Sequence, residues 1–425
     1  MMRAKSLQLA LAILLAACGG PPTSARGSGG ADPVSLLVFG EPEELAAYRQ
    51  LVAAYAETGA ATQVELIEAS DRDDLLTRLS TSFAGGEPPD LFLINYRFFG
   101  QFAARDVLEP LGARLEGSSA LQLEDLYPQA LDAFRFGGEL ICLPQNISSL
   151  VVYYNRDLFE EAGVAEPAAG WTWDEMVLTA TSLTDDASDQ HGLGLEPTII
   201  RLAPFIWSNG GELFDDPENP TGFALDSPET LEAMQDFLDL GTFNPPIPDD
   251  EDVEAEDLES RFLNGRLAML LSSRRSTPTF RTITDFDWDI APLPVHAQPA
   301  GILHSDAYCM TQASGSKDAA WRFVEFALGA DGARIMAASG RTVPSLIEVA
   351  NSDAFLDPDA KPANSQVFLD TIPFIRRVPN ISTWPEIEDA AEPLLEQALY
   401  GGISAEQVAQ QIMEATADLF ARAER

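Results

Sequence analysis

From Val34 onward, short apolar runs alternate with stretches in which apolar residues recur at helical spacing. Residues 34–39, 64–67 and 90–94 form three such runs, and we predict that each is a buried strand. Between them, residues 41–57 and 71–83 place leucines and tyrosines on one helical face. This alternation predicts an α/β fold with a parallel sheet covered by helices on both faces.

The same periodicities predict further elements along the chain. Residues 137–144 form a strand led by a glycine turn, and residues 155–163 form a short helix closed by glycine. Prolines and acidic residues mark 214–222 and 245–254 as loops. The other predicted elements are a strand over 150–154, a helix that begins near 172, and helices over 99–105, 227–240, 255–264, 317–328, 386–399 and 404–424.

Polar side chains follow two of the predicted strands. Ligands of open α/β sheets bind beyond the carboxyl ends of the strands. Glu41 follows the first strand, and Asn95, Tyr96 and Arg97 follow the third. We therefore predict that these four residues lie at the edge of a ligand site.

The N-terminus has the pattern of a secretory signal. Arg3 and Lys5 precede an uncharged run over 7–17, which is shorter than the about 20 residues that a membrane helix needs. Small residues before Cys18 resemble the bacterial lipobox, in which the cysteine is acylated. We predict a signal peptide over 1–17, lipidation of Cys18 and a flexible tether over 18–33, rich in Gly, Pro and Ser. The alternative is an ordinary signal peptide with an incidental cysteine.

The charge of the chain excludes two classes of partner. The net charge is −41, with 26 basic and 67 acidic residues, and removal of Arg3 and Lys5 would leave 24 (26 − 2) against 67, or −43. Nucleic-acid binding depends on clustered Lys and Arg, as does adsorption to anionic lipid. We therefore expect no nucleic acid as a partner, and contact with the membrane through the lipid anchor only.

The sequence contains no recognisable catalytic or metal-binding motif. Cys142 and Cys309 belong to no CxxC pair, and the three histidines at 191, 296 and 304 have no ligand spacing. GxSxG, HExxH, P-loop and dinucleotide glycine motifs are absent from the sequence. We therefore expect that the protein binds no metal and no cofactor and is not an enzyme. A polysaccharide hydrolase built on paired carboxylates is the main alternative, and an adhesion lipoprotein, which should show repeats, is a second.

Seven segments carry a resemblance to a known family. They are PPDLFLINYRFFGQFAARDVLEPL, GELICLPQNISSLVVYYNRDLFEEAGV, GWTWDEM, WSNGGELFDD, FALDSPETLEAMQDFLDL, FLNGRLAMLL and SKDAAWRFVEFAL. Their order, from Val34 to about Arg422, resembles the bacterial extracellular solute-binding protein family 1, the sugar-type receptors of ABC importers. One departure is Ala104-Arg105-Asp106, which stands where the family usually has a glycine.

The resemblance implies an α/β, two-lobed periplasmic-binding-protein-like fold of type II. Crossover hinge strands would join the lobes, with the ligand cleft between them. Lobe one would comprise 34–146 and 308–345, and lobe two 147–307 and 346–425. Closure around the ligand would be a hinge motion.

A sugar needs flat aromatic surfaces and well-placed polar groups. Trp207 is the predicted stacking residue, and the Gly210-Gly211 pair allows close backbone approach. Ser273 and Arg274 end a predicted strand and enter a helix, where N–H groups can meet a ligand oxygen. We expect the adjacent Arg275 to be the solvated arginine.

The resemblance adds further candidates for ligand contact. Gln145 and Asn146 would lie at the first crossover and Asp306 near the second. Trp384 stands where the family often has a cleft aromatic. Arg341, in a turn beside a glycine, is a further candidate.

The resemblance also brings the two remaining cysteines together. In the implied topology, the crossover strand with Cys142 runs close to the return strand with Cys309. We hypothesise that they form a disulfide, as an oxidising compartment allows. Two small buried thiols are the alternative.

Together these features predict an extracytoplasmic, lipid-anchored, monomeric solute-binding protein on the periplasmic side or cell surface. It would capture a small polar ligand, a mono- or oligosaccharide, and deliver it to ABC transporter permease subunits. Polyol phosphates and peptides are the alternative ligands. A phosphate group would favour several arginines in the cleft, and the candidates are Arg97, Arg274 and Arg341.

Overall fold

The computed structural model describes residues 33–242 and 245–424. The predicted signal peptide, the lipidation site Cys18 and residues 18–32 of the tether lie outside the described residues. Within them, no helix has both the length and the apolar character needed to cross a bilayer.

The strands of the described chain are short and mostly buried. In order they are β1 Val34–Phe39, β2 Val64–Ala69, β3 Leu91–Asn95, β4 Leu108–Glu109, β5 Arg135–Phe136, β6 Glu139–Leu140, β7 Leu143–Pro144, β8 Val151–Asn155, β9 Met269–Ser272, β10 Trp288–Ala291, β11 Gly301–Ile302, β12 Asp306–Thr311 and β13 Ile375–Arg376.

Helices fill most of the connections between the strands. They are α1 Pro42–Glu57, α2 Arg72–Gly85, α3 Tyr96–Ala103, α4 Gly112–Glu116, α5 Pro128–Asp132, α6 Arg156–Ala162, α7 Trp173–Ser182, α8 Ile199–Ser208, α9 Pro228–Asp239, α10 Asp250–Ala255, α11 Leu258–Leu263, α12 Thr277–Phe280, α13 Lys317–Leu328, α14 Ala330–Ala338, α15 Ile347–Ala350, α16 Asp353–Leu356, α17 Gln366–Thr371, α18 Trp384–Gly401 and α19 Ala405–Ala421.

Two sheets organise this chain. The first has the strand order β2-β1-β3-β12-β4, and β7 also pairs with β12. β1 runs parallel to β2 and β3, as predicted, whereas β12 returns antiparallel to β3, β4 and β7. The carboxyl ends of β1 to β3 therefore meet the start of β12 at one edge. The second sheet is antiparallel, in the order β10-β8-β9.

The structure confirms most of the predicted elements and corrects two. The predicted strand over 137–144 is two short strands, because β6 pairs with β5 while β7 pairs with β12. The predicted loop over 245–254 contains α10, whose first turn is acidic and is capped by Asp249. Helix α8 was not predicted; nearly every residue in it is buried, and Pro204 lies inside it.

A disulfide lies behind the edge where β12 begins. The Sγ atoms of Cys142 and Cys309 are 1.90 Å apart, and their Cα atoms are 4.6 Å apart. Both residues are fully buried. The bond ties the segment before β7 to the middle of β12, across a sequence separation of 167 residues. The boundaries of the two lobes stay a prediction.

We expect the bond to stabilise the folded protein. Replacing both cysteines by alanine should lower the free energy of unfolding by about 2–5 kcal/mol, because the bond restricts a long loop in the unfolded chain. Urea unfolding of residues 33–425, with and without the change, measures this. Ellman titration of the unfolded, unreduced protein is the control, and two free thiols there would contradict the bond.

Candidate functional site

A cavity of about 490 Å³ lies between residues that follow the strands of both sheets. Its volume falls in the range of about 300–1,000 Å³ that is common for small-molecule sites. We call it the cleft. Its lining residues are Phe39, Gly40, Glu41, Glu44, Ser70, Asp71, Arg72, Asp73, Asn95, Arg97, Phe98, Asn146, Ser148, Glu196, Thr198, Ile200, Arg201, Ser272, Ser273, Arg274, Arg275, His304, Asp306, Arg341, Glu388, Asp389 and Glu392.

The first wall of the cleft is made by the carboxyl ends of β1, β2 and β3. Each of these ends passes directly into a helix whose start is capped. Glu41 and Glu44 form a capping box at α1, Asp71 accepts a hydrogen bond from the Asp74 N–H at 2.8 Å, and Asn95 accepts one from the Arg97 N–H at 3.2 Å. The caps fix the turns that present polar side chains to the cleft.

Gly40 allows the tight turn after β1. Its φ is +146°, and a Cβ atom there would lie 2.3 Å from Glu44 Oε2. A larger residue would therefore displace the Glu44 carboxylate, which accepts a hydrogen bond from the Glu41 N–H at 3.0 Å.

The second wall comes from three places in the chain. Residues 272–275 follow β9 of the second sheet, and residues 196–201 include the start of α8. Glu388, Asp389 and Glu392 lie on α18, a helix that packs against α3 and α8. Most of this wall is polar or charged.

Asp306 lies on the floor of the cleft, where several segments meet. Its carboxylate accepts hydrogen bonds from Asn95 Nδ2 and Asn146 Nδ2, each at 3.2 Å. Its backbone N–H donates to Asn146 Oδ1 at 2.6 Å. Nη2 of Arg341 lies 3.8 Å from the same carboxylate, and Nε of Arg341 lies 3.2 Å from Oε1 of Glu44. The end of β3, the crossover after β7 and the start of β12 are thereby joined.

Three arginines of the cleft are paired with carboxylates that also line it. Arg97 reaches both oxygens of Glu388 at 2.7 Å, and Arg201 lies 2.8 Å from Glu196. Arg341 is 1% exposed beside Glu44. Burial alone would lower the pKa of Arg341, but nearby acidic groups, Glu44 first, outweigh burial and raise it.

His304 and Glu392, which also line the cleft, have pKa values far from their usual range. Burial lowers the pKa of His304, and the charges of Arg201, Arg97, Arg275 and Arg72 lower it further. His304 is therefore neutral at pH 7. Burial, followed by the charge of Glu388, raises the pKa of Glu392 to about 7.

Eight of the predicted contact residues line the cleft. They are Glu41, Asn95, Arg97, Asn146, Ser273, Arg274, Asp306 and Arg341. Of the two adjacent arginines, Arg275 is the more solvated, as expected, but both line the cleft. The Arg274 side chain is buried, with its guanidinium 4.9 Å from the ring centroid of Phe355, and burial lowers its pKa to about 9. Arg275 is 45% exposed and also lines the cleft.

Both tryptophans predicted to contact the ligand lie outside the cleft lining. Trp207 is 1% exposed on α8, and the guanidinium of Arg376 covers its ring at 4.6 Å. Trp384 is fully buried at the start of α18, with the rings of Phe214 and Phe223 about 6 Å away. These contacts correct the stacking prediction, because neither ring has a free face.

The other predicted residues outside the lining also have internal partners. Tyr96 accepts a hydrogen bond from the Val378 N–H at 3.4 Å. Gln145 bridges two tyrosine hydroxyls, accepting from Tyr48 at 3.0 Å and bonding Tyr308 at 2.6 Å. Gly210 is not in the lining, and Gly211 makes a close approach to Thr230 of α9, where a Cβ would lie 2.6 Å from Oγ1. Gly211 therefore serves helix packing, whereas Gly210, with φ +85°, serves the turn after α8.

Several lining residues had no prediction. Residues 70–73 follow β2, so the strand-end rule that found Glu41 would have found them too. The acids of α18 carry no such signal, because only the packing of α18 on α3 brings them to the cleft. Among the described residues, neither tryptophan nor tyrosine lines the cleft, and its phenylalanines are Phe39 and Phe98.

His191 lies near two carboxylates outside the cleft. Potential ligand atoms of Asp189, His191 and Asp252 lie within 4.8 Å of one another. Two arginines, 261 and 266, already contact Asp189 at 3.2 and 2.6 Å. Their charges neutralise this group without a metal ion.

Comparison with solved structures defines the class of the fold. The ABC substrate-binding protein Lmo0181 of Listeria monocytogenes, in complex with cycloalternan, superposes with a TM-score of 0.84. The match covers 91% of this chain and 99% of that chain at 26% identity. The fold is therefore that of the two-lobed type II periplasmic binding proteins, as predicted.

Comparison with family models and curated proteins gives the family. The model of the bacterial extracellular solute-binding proteins matches residues 40–334. The chain belongs to this family, and it is a substrate-binding protein of the ABC-transporter type. The galactooligosaccharide-binding protein of Bacillus subtilis is 22% identical, over 95% of this chain and 94% of the relative. The mannitol-binding protein of Pseudomonas aeruginosa is 26% identical, over 71% and 68%.

The raised pKa of Glu392 makes a testable contribution to stability. The native carboxyl keeps its proton to about pH 7, whereas the unfolded one loses it near pH 4.3, so this group destabilises the fold progressively as pH rises through that window. Glu392→Gln should therefore raise the melting temperature more at pH 8 than at pH 4.5. Thermal unfolding at both values measures this, with Glu396→Gln on the same helix as control. Equal shifts at both pH values would contradict the prediction.

Proposed function

We propose that this protein is the lipid-anchored binding component of an ABC importer and that it captures a mono- or oligosaccharide. The observation that carries the proposal is the polar cleft between the two sheets, at the carboxyl ends of β1 to β3. Carboxylate, amide and guanidinium groups can each hold more than one hydroxyl. Relatives named for binding galactooligosaccharide and mannitol support a polyhydroxyl ligand.

The ligand would stabilise the closed arrangement of the two walls. A ligand shifts a conformational equilibrium only through contacts that it makes better in one state. Glu41 and Asn95 on the first wall, with Ser273 on the second, offer such contacts from opposite sides. The closed protein would then deliver the ligand to the permease subunits as a monomer, without itself acting as an enzyme.

The anchor follows from the lipobox-like sequence that ends at Cys18. Acylation at this position would hold the protein on the outer side of the cell membrane, because two or more acyl chains bind a bilayer firmly. The net charge of −41 gives the chain itself no attraction for anionic lipid.

Replacing Cys18 by serine tests the anchor. The unchanged protein should fractionate with membranes and carry the added mass of acyl chains. The Cys18→Ser protein should lose both properties, as measured by fractionation and mass spectrometry of cells that express it. Release of the unchanged protein in soluble, unmodified form would contradict the anchor.

A thermal-shift screen against sugars, polyols, sugar phosphates and peptides tests the ligand class. A ligand at about 100 times its dissociation constant adds roughly 2.7 kcal/mol to stability. Glu41→Ala should weaken binding of the sugar about tenfold or more, because it removes a hydrogen bond to a charged acceptor. Isothermal titration measures the change.

Glu43→Ala is the matched control, since Glu43 is exposed on the first turn of the same helix and does not line the cleft. Stabilisation by peptides alone would overturn the carbohydrate proposal while leaving the binding role intact. Hydrolysis of an oligosaccharide during the titration would overturn the binding role.

A further inference from the structure

Two extended segments form part of the floor of the cleft. Residues 146–148 come shortly after β7, and residues 303–305 lead into β12. Ser148 and His304 exchange two backbone hydrogen bonds, since the Ser148 N–H donates to the His304 carbonyl at 2.9 Å and the His304 N–H donates to the Ser148 carbonyl at 2.8 Å. The two residues are therefore directly opposite each other in an antiparallel bridge.

Every second residue of each segment lines the cleft. These residues are Asn146 and Ser148 on one segment, and His304 and Asp306 on the other. The residue between the members of each pair is fully buried and does not line the cleft, which is the period of two expected of extended chain. The side chains of Ser148 and His304 therefore face the cleft together, with their Cβ atoms about 5 Å apart.

Two of these four side chains already bind each other. Nδ2 of Asn146 donates to the Asp306 carboxylate at 3.2 Å, and Oδ1 of Asn146 accepts from the Asp306 N–H at 2.6 Å. The Asp306 carboxylate also lies 3.8 Å from Arg341. Asn146 and Asp306 thus use their polar atoms to hold the two segments together.

Ser148 and His304 do not use their side chains in this way. Nε2 of His304 is buried and has no hydrogen-bond partner among the described residues. Ser148 is only 4% exposed, and its Oγ makes no hydrogen bond to another described residue. Buried polar groups normally have a partner, because an unpaired one is costly. Since both side chains line the cleft, a group of the ligand can supply that partner.

The charges around the pair determine what kind of group fits it. Burial lowers the pKa of His304 most, and the charges of cleft arginines, Arg201 first, lower it further. The imidazole is therefore neutral at pH 7, so one of its nitrogens donates a hydrogen bond and the other accepts one. The Ser148 hydroxyl likewise donates and accepts. The charged groups of the cleft differ, because an arginine only donates and an ionised carboxylate only accepts.

A sugar hydroxyl matches this pair. It donates and accepts, so it can bond to both side chains whichever way their protons are arranged. A charged group of a ligand is a poorer match, because an ionised carboxylate only accepts and an ammonium only donates.

We propose that Ser148 and His304 form a subsite that holds one neutral hydroxyl of the ligand. The inference rests on the proposed function and deepens it, since it assigns two ligand-binding residues that the sequence did not indicate. Because the pair lies on the floor, it would fix which hydroxyl enters the cleft first.

Histidine NMR tests the subsite on the unchanged full chain. The chain has three histidines, and of these only His304 lines the cleft. Ring signals of protein with ¹⁵N-labelled histidine are recorded with and without a sugar that binds in isothermal titration, chosen from glucose, galactose, mannitol and maltose. The His304 signals, assigned with His304→Gln, should shift, and those of His191 and His296 should stay. Unchanged His304 signals at saturating sugar would overturn the subsite.

Deoxy analogues of the bound sugar test the contact itself. With the unchanged protein, the analogue that lacks the held hydroxyl should bind about tenfold or more weakly than its parent, because it leaves the pair without a partner. In Ser148→Ala and in His304→Ala this difference should shrink to about twofold or less, since the contact is already lost. His304→Gln should recover part of the difference, because an amide also donates and accepts.

Ser305→Ala is the matched control. Ser305 is the neighbour of His304 but faces away from the cleft, and its Oγ donates to the Asn146 carbonyl at 2.6 Å. This change should lower the melting temperature and leave the difference between parent and deoxy sugar intact. Ser148→Ala removes a single oxygen, so it carries the test if His304→Ala does not fold.

Failure of the subsite can be told apart from failure of the proposed function. A sugar that binds the same way to the unchanged protein, Ser148→Ala and His304→Ala, with every deoxy analogue weakened equally, would overturn the subsite and leave a carbohydrate receptor. Absence of binding by every sugar and polyol would overturn both.

Discussion

The cleft depends on one buried carboxylate, that of Asp306. Its oxygens hold Asn95 at the end of β3 and Asn146 in the crossover, and Arg341 balances its charge. These segments are far apart in sequence, so this contact fixes how they meet. A buried charge is tolerated only when it is paired and hydrogen-bonded, and Asp306 meets both conditions through residues that themselves shape the floor.

Contacts behind the floor of the cleft hold it in place. The disulfide ties β12 to the segment before β7, and Gln145 links Tyr48 of α1 to Tyr308 of β12. These internal hydrogen bonds satisfy polar groups behind the floor that face away from the cleft. The polar groups that line the cleft, such as Glu41 and Ser273, are on side chains that face the other way. One face of these segments therefore stabilises the fold, and the opposite face is available to bind a ligand.

The sequence was sufficient for part of the first wall, the residues after β1 and β3, because the rule behind the prediction is geometrical. Polar residues after parallel strands meet at one edge, and Glu41, Asn95 and Arg97 do so. Trp207 was predicted to stack on the ligand, but it lies within α8, a helix that buries nearly every residue and that the proline at 204 obscured in the sequence. Both Arg274 and Arg275 line the cleft, because the turn after β9 brings both to the cavity, which adjacent identical residues in the sequence do not reveal. The acids of α18 reach the cleft only through tertiary packing.

The mixed charges of the cleft have a consequence for selectivity. Six arginines and nine carboxylates of the described chain line the cleft, and Arg97, Arg201 and Arg341 are paired with carboxylates of the lining. Much of the charge is therefore balanced inside the cleft, and salt screens what remains beyond about 8–10 Å. Selection of a ligand then depends on hydrogen bonds made at short distance inside the cleft, where neighbouring acidic and basic groups can hold hydroxyls.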